Sequence, residues 1–130
     1  MTTATATTTS TVADELVALC RAGRNMDAIN SFYSPDIVSV ESMGNETMPR
    51  ELRGIDAIRG KNQWWYDNNE VHSASVDGPF VGDDKFAVYY NYDCTFKPTG
   101  KRNNMEEMAL YTVKDGKIVR EQFFYRTTDI

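Results

Sequence analysis

The stretch from Met105 to Tyr125, MEEMALYTVKDGKIVREQFFY, reads as two strands joined at Asp115-Gly116, with Glu106 and Glu121 set among apolar residues. A short Asp-Gly loop flanked by alternating hydrophobic residues is a strong local hairpin signal. A loop of Asp115-Gly116 alone pairs Leu110 with Glu121, Met108 with Phe123 and Glu106 with Tyr125. That register gathers two carboxylates on one sheet face. A type I turn with a bulge at Gly116 pairs Leu110 with Arg120 instead and separates the glutamates. A carboxylate on an apolar surface loses solvation, so it has to be paired, protonated or open to a cavity.

Upstream, Lys85 to Phe96 alternates over its whole length, with Phe86, Val88, Tyr90, Tyr92, Cys94 and Phe96 on one face. Glu70 to Val76 is a further strand, followed by a turn at Asp77-Gly78-Pro79. The first half of the chain is mostly helical. Val12, Leu16, Leu19 and Cys20 share one helical face; Met26, Ile29, Phe32 and Tyr33 form a second, ended by Pro35; Ile55, Ile58, Asn62 and Trp65 mark a third helix from Gly54 to about Asn68. A short strand lies between the second and third helices, with Ile37, Ser39 and Glu41 on one side and Val38 and Val40 on the other. Ser42 to Arg53 reads as a long loop. This order predicts an α+β fold: one curved antiparallel sheet covered on a single face by three N-terminal helices.

With 130 residues, 41% of them hydrophobic, the chain is long enough for a single core. A net charge of −5 argues against nucleic acid, which needs clustered Lys and Arg to displace counterions. No run reaches the length of a membrane span, and the N-terminus lacks the basic start and apolar core of a secretory signal. A cytoplasmic protein with no membrane partner is expected. The Thr/Ala-rich residues 1–11 read as a disordered arm and residues 12–130 as one domain. Cys20 and Cys94 read as buried, reduced thiols. One histidine with scattered carboxylates is a poor metal-ligand set, so neither a metal nor another cofactor is expected.

Leu16 to Tyr33, Pro35-Asp36-Ile37-Val38, Arg53-Gly54-Ile55-Asp56-Ala57-Ile58 and Asp115-Gly116-Lys117-Ile118, in that order and spacing, resemble the SnoaL-like branch of the nuclear transport factor 2-like superfamily. Ketosteroid isomerases belong to the same superfamily. The resemblance implies a cone-shaped, cystatin-like α+β roll around one deep pocket, and a homodimer formed through the outer sheet face. Carried over residue by residue, the isomerase's general-base Asp falls on Ser42 with Glu41 beside it, its oxyanion-hole Tyr on Leu16, and its protonated Asp on Met108. All three identities differ, so steroid isomerisation by that route is not expected.

The same resemblance places Glu106, Met108, Glu121, Phe123 and Tyr125 on the pocket face, and turns His72, Tyr90 and Tyr92 inward. The expected function is proton transfer on a small hydrophobic carbonyl compound by an isomerase, cyclase or dehydratase. Glu106, Glu121 and His72 are the acid/base candidates. Tyr90, Tyr92, Tyr125, Met108, Phe123, Trp65, Ser42 and Glu41 are the ligand-contact candidates. The alternative is a non-catalytic binding module of the same fold.

Overall fold

The computed structural model describes residues 3–127, with side chains from Thr8 onward. Its elements are α1 (Thr3–Arg21), α2 (Asn25–Phe32), β1 (Tyr33–Val40), β2 (Glu51–Arg53), α3 (Ile55–Asn68), β3 (Asn69–Val81), β4 (Lys85–Phe96), β5 (Lys101–Lys114) and β6 (Lys117–Phe124). The strands form one six-stranded sheet in the order β2-β1-β6-β5-β4-β3. The α+β class and the three helices are as expected. The sheet is mixed rather than purely antiparallel, because β1 runs parallel to β6.

Val12, Ala13, Leu16, Val17 and Cys20 are all buried along α1, which lays this stripe against the sheet. Arg21 at its end donates from Nε to the Val76 carbonyl at 3.0 Å, tying α1 to β3. Phe86, Val88 and Tyr90 of β4 and Ala109, Tyr111 and Val113 of β5 are buried side by side on this face of the sheet, with the Phe86 and Tyr111 rings stacked 4.7 Å apart.

Three expectations change. The helix begins well before Val12, and within it Thr9 is buried, its hydroxyl donating to the Asp83 carbonyl at 2.9 Å. Met1 and Thr2 lie outside the described residues. The turn expected at Asp77-Gly78-Pro79 is a register shift inside a continuous β3, because the strand resumes pairing with β4 at Phe80. The loop from Ser42 to Arg53 ends in β2, which pairs with β1.

The hairpin turn is the two-residue loop: Lys114 pairs with Lys117, and Asp115 and Gly116 both have positive φ, 52° and 76°, as a type I′ turn requires. The register beyond it is neither of the two expected. An extra residue at Val119 intervenes, so that Tyr111 pairs with Glu121 and Leu110 with Gln122. The cause is visible in the burial. Ile118 and Glu121 are both buried, and two residues three apart share a sheet face only if a bulge absorbs the odd residue.

Candidate functional site

The bulge decides which side chains meet. Residues of β5 facing the helices are Met105, Glu107, Ala109 and Tyr111, while Glu106, Met108 and Leu110 point to the outer face. The helix side of the sheet lines a half-open cavity of about 150 Å³. Apolar and aromatic groups make most of its wall, among them Trp65 of α3, Tyr90 and Tyr92 of β4 and Phe123 of β6. Trp65 packs on Tyr92 with ring centroids 5.4 Å apart, and Tyr92 stacks on Tyr90 at 6.0 Å.

Set into this wall is a polar cluster built from three elements. Alternation along β1 puts Ser39 and Glu41 on the cavity side. Helical spacing from the buried Ile58 puts Lys61 one turn further along α3. The β6 bulge brings in Glu121. Lys61 Nζ donates to Ser39 Oγ and to Glu41 Oε1, each at 2.8 Å, and lies 3.8 Å from Glu121 Oε1. The same ammonium sits 4.9 Å from the centroid of the Phe123 ring. Glu121 is 2% exposed; Ser39 Oγ donates to its Oε1 at 2.9 Å and the Tyr33 hydroxyl donates to its Oε2. Burial raises the Glu121 pKa, against the opposing pull of Lys61 and the two hydroxyl donors.

Glu107 differs from the other two carboxylates. It lines the cavity, and among the described residues no group hydrogen-bonds to its carboxyl. Burial pushes its pKa up to about 8; nearby Glu41 pushes the same way, and Lys61 opposes both. Deeper still, the Tyr90 and Tyr111 hydroxyls are 2.7 Å apart, and the Cys20 thiol contacts Tyr90 at 3.7 Å. Burial holds that thiol at about 11, so it is not a nucleophile at neutral pH.

Of the residues expected at the site, Glu121, Glu41, Tyr90, Tyr92, Phe123 and Trp65 line the cavity. Glu106 does not. It lies on the outer face with the Arg126 guanidinium 3.7 Å away, because the bulge reverses the facing of β5 relative to β6. Met108, 51% exposed, goes with it. His72 also lies elsewhere. Val71 pairs with Cys94 and Ser73 with Asp93, so His72 is the extra residue of a bulge, exposed and bonded to Thr95 Oγ1 at 2.7 Å. Ser42 and Tyr125 clasp the ends of β1 and β6: Ser42 Oγ donates to the Phe123 carbonyl at 2.8 Å and accepts from the Tyr125 amide at 3.1 Å. His72→Ala and Glu106→Gln are each expected to change stability by less than about 0.5 kcal/mol, which urea titration at neutral pH checks.

A wider groove of about 610 Å³ lies on the outer face, between Ser75 of β3, Asn91 of β4 and Asn104 of β5. Its charges are already neutralised, with Arg102 bonded to both Asp93 carboxylate oxygens at 2.7 and 2.8 Å. It holds no titratable group free for chemistry, and the inner cavity is the candidate site. No group of three or more His, Cys, Asp or Glu among the described residues is arranged to hold a metal ion.

The model of the SnoaL-like domain matches residues 7–125. This chain belongs to the SnoaL-like family. A solved structure from Mesorhizobium loti, described as a candidate SnoaL-like polyketide cyclase, is 41% identical, covers 89% of this chain and 97% of its own, and superposes with a TM-score of 0.84. Two more distant structures share the fold. A protein from a Jannaschia species, described in the same terms, is 15% identical over 95% of this chain and 89% of its own, TM-score 0.73. A protein with a cystatin-like fold from Xanthomonas campestris is 19% identical over 93% of each chain, TM-score 0.74. No curated protein matches the chain. No helix among the described residues is long and apolar enough to cross a membrane.

Within the SnoaL-like family comparison, one position needs correcting. The protonated Asp of ketosteroid isomerase, carried over to Met108, falls on a side chain that faces outward; the cavity-facing neighbour is Glu107, which does bear a carboxyl of raised pKa. Alternation from a two-residue turn without a bulge places Glu107 on the outer face, and the bulge at Val119 reverses that. Tyr33 shows in the sequence only as the end of a helical face, and nothing local marks Lys61.

Proposed function

We propose that this SnoaL-like protein catalyses proton transfer on a small carbonyl compound, with Glu107 as general base and Lys61 as the group that stabilises the developing oxyanion. The observation that carries this reading is Glu107: a cavity carboxyl with no hydrogen bond from the described residues and a pKa near 8. A carboxylate of that basicity is far better matched to removing a proton beside a carbonyl than an ordinary one, and about a tenth of it is ionised at pH 7 and half at pH 8. Lys61 has two of its three protons committed at 2.8 Å, to Ser39 and Glu41. Its charge lies on the cavity wall, where negative charge on an enolate oxygen gains most from it. Glu41 and Ser39 hold Lys61 in place, with Glu121 3.8 Å away.

The proton removed from the α-carbon passes to Glu107, and its return to the same or another carbon completes an isomerisation. If the enolate attacks a second carbonyl instead, the outcome is a cyclisation. The names given to the Mesorhizobium and Jannaschia structures fit the second outcome. The test is exchange of α-protons for deuterium in heavy water, followed by NMR on simple cyclic ketones. Exchange accelerated by the protein, rising with pH toward 8, supports the reading. Saturable binding with no exchange supports the non-catalytic binding module and sinks it.

A homodimer is the second element of the proposal. Phe80, 66% exposed, Met108 and Phe124, 47% exposed, share the outer sheet face, an apolar surface suited to a second copy. Sedimentation equilibrium is expected to give twice the chain mass, and a monomer at micromolar concentration would refute it.

A further inference from the structure

Two properties of the cavity, its size and its balance of charge, restrict what it can accept. An apolar cavity of about 150 Å³ holds a benzene-sized molecule, whereas drug-sized ligands occupy roughly 300–1,000 Å³. This cavity is about 150 Å³. Its limits are set by large, mutually packed rings. Trp65 stands edge-on to Tyr66 at 5.1 Å and against Tyr92 at 5.4 Å, and Tyr92 in turn stacks on Tyr90. Such a wall resists expansion, because moving one ring requires displacing the next.

The charge is equally restrictive. Three carboxyls, Glu41, Glu107 and Glu121, line the cavity, and Lys61 is the only cation among the described residues that do. That lysine already spends its contacts on Glu41 and Ser39, with Glu121 3.8 Å away. A ligand carboxylate or phosphate would have to share Lys61 with Glu41 and would give up its hydration against a wall that otherwise offers carboxyls and aromatic rings.

From these two properties we infer that the substrate is an uncharged compound of about one six-membered ring, and that Trp65 sets the upper size limit. This rests on the proton-transfer reading for the carbonyl, but not for size or charge.

Binding of three probes at pH 7 tests the inference by isothermal titration calorimetry on the full chain: cyclohex-2-enone, a fused two-ring decalone, and cyclohexanecarboxylate. The enone is expected to bind at least tenfold more tightly than either of the others. Trp65→Ala is expected to bring the decalone within threefold of the enone, and Tyr92→Leu serves the same purpose if Trp65→Ala does not fold. Decalone or carboxylate binding to the unaltered protein as tightly as the enone overturns the inference, as does failure of the enone to bind at all. The same series on Glu107→Gln separates the two proposals. Selectivity retained there, with no deuterium exchange in the unaltered protein, removes the proton-transfer reading and leaves the size and charge limits standing.

Discussion

Glu107→Gln is expected to lower the rate of α-proton exchange by about 10²- to 10⁴-fold, the usual loss when a positioned general base is removed. Gln keeps the shape and the polar end of the side chain but cannot take a proton. The unaltered protein should show kcat/KM rising about tenfold per pH unit below about 8 and levelling above it, the profile of a base that must be ionised to act. In the variant this rise disappears. An exchange rate that is flat between pH 6 and 9 in the unaltered protein, or unchanged by the substitution, would remove Glu107 from the mechanism.

The same carboxyl leaves a mark on stability, which distinguishes a titrating residue from one that merely fills space. Its pKa in the folded chain lies near 8, against an ordinary value of 4.5. The folded state therefore holds a proton that the unfolded state has already released, and the stability this provides is complete below pH 4.5 and is lost as pH rises through 8. The full difference corresponds to about 5 kcal/mol, and water entering the cavity reduces it to about 2–3 kcal/mol by solvating the carboxylate. Burial raises Glu121 in the same direction, so the two groups reinforce each other. Urea titrations of the unaltered protein should show lower stability at pH 8.5 than at pH 5.5, and Glu107→Gln should narrow that gap.

The sequence exposes the parts of this fold that depend on local patterning. Alternation along Lys85 to Phe96 places Tyr90 and Tyr92 correctly, and helical spacing places Ile58 and Trp65 on one stripe of α3. Asp115-Gly116 specifies a turn whose positive φ values those two residues tolerate. What is not legible is where a strand gains a residue. The bulge at Val119 costs little locally, and it exists because Ile118 and Glu121 both find buried partners on other elements. One unforeseen residue exchanges Glu106 for Glu107 in the cavity, and a second, in β3, puts His72 outside it. The site is thus determined by tertiary packing acting on strand parity, the quantity that periodicity reads least reliably.

Lys61 shows a different limit. On α3 it sits one turn from Ile58, at the edge of the apolar stripe, and its ammonium is drawn inward by Glu41 and by the Ser39 hydroxyl. A long side chain can carry its charge across an apolar surface to partners that no local window contains. One of them, Ser39, pairs in parallel with Glu121 of β6, which brings the buried carboxyl beside the same ammonium.

Glu121→Ala is expected to cost about 3–5 kcal/mol, the range for removing one partner of a buried charged network. Glu121 is 2% exposed, and its loss strands three groups at once: the Tyr33 hydroxyl, the Ser39 hydroxyl and part of the charge balance around Lys61. It also opens a void beneath β1, which adds to the cost because neighbouring strands relax only partly. Glu121→Gln separates these contributions. The amide preserves volume and one acceptor oxygen, and it removes a carboxylate that burial already disfavours, so its cost should be only about 1–2 kcal/mol. Urea denaturation at pH 7 measures both. Equal costs for Ala and Gln would mean that the charge, not the packing and hydrogen bonds, holds β1 to β6. A cost below about 1 kcal/mol for Ala would mean that Lys61 and Glu41 hold the cluster together without Glu121.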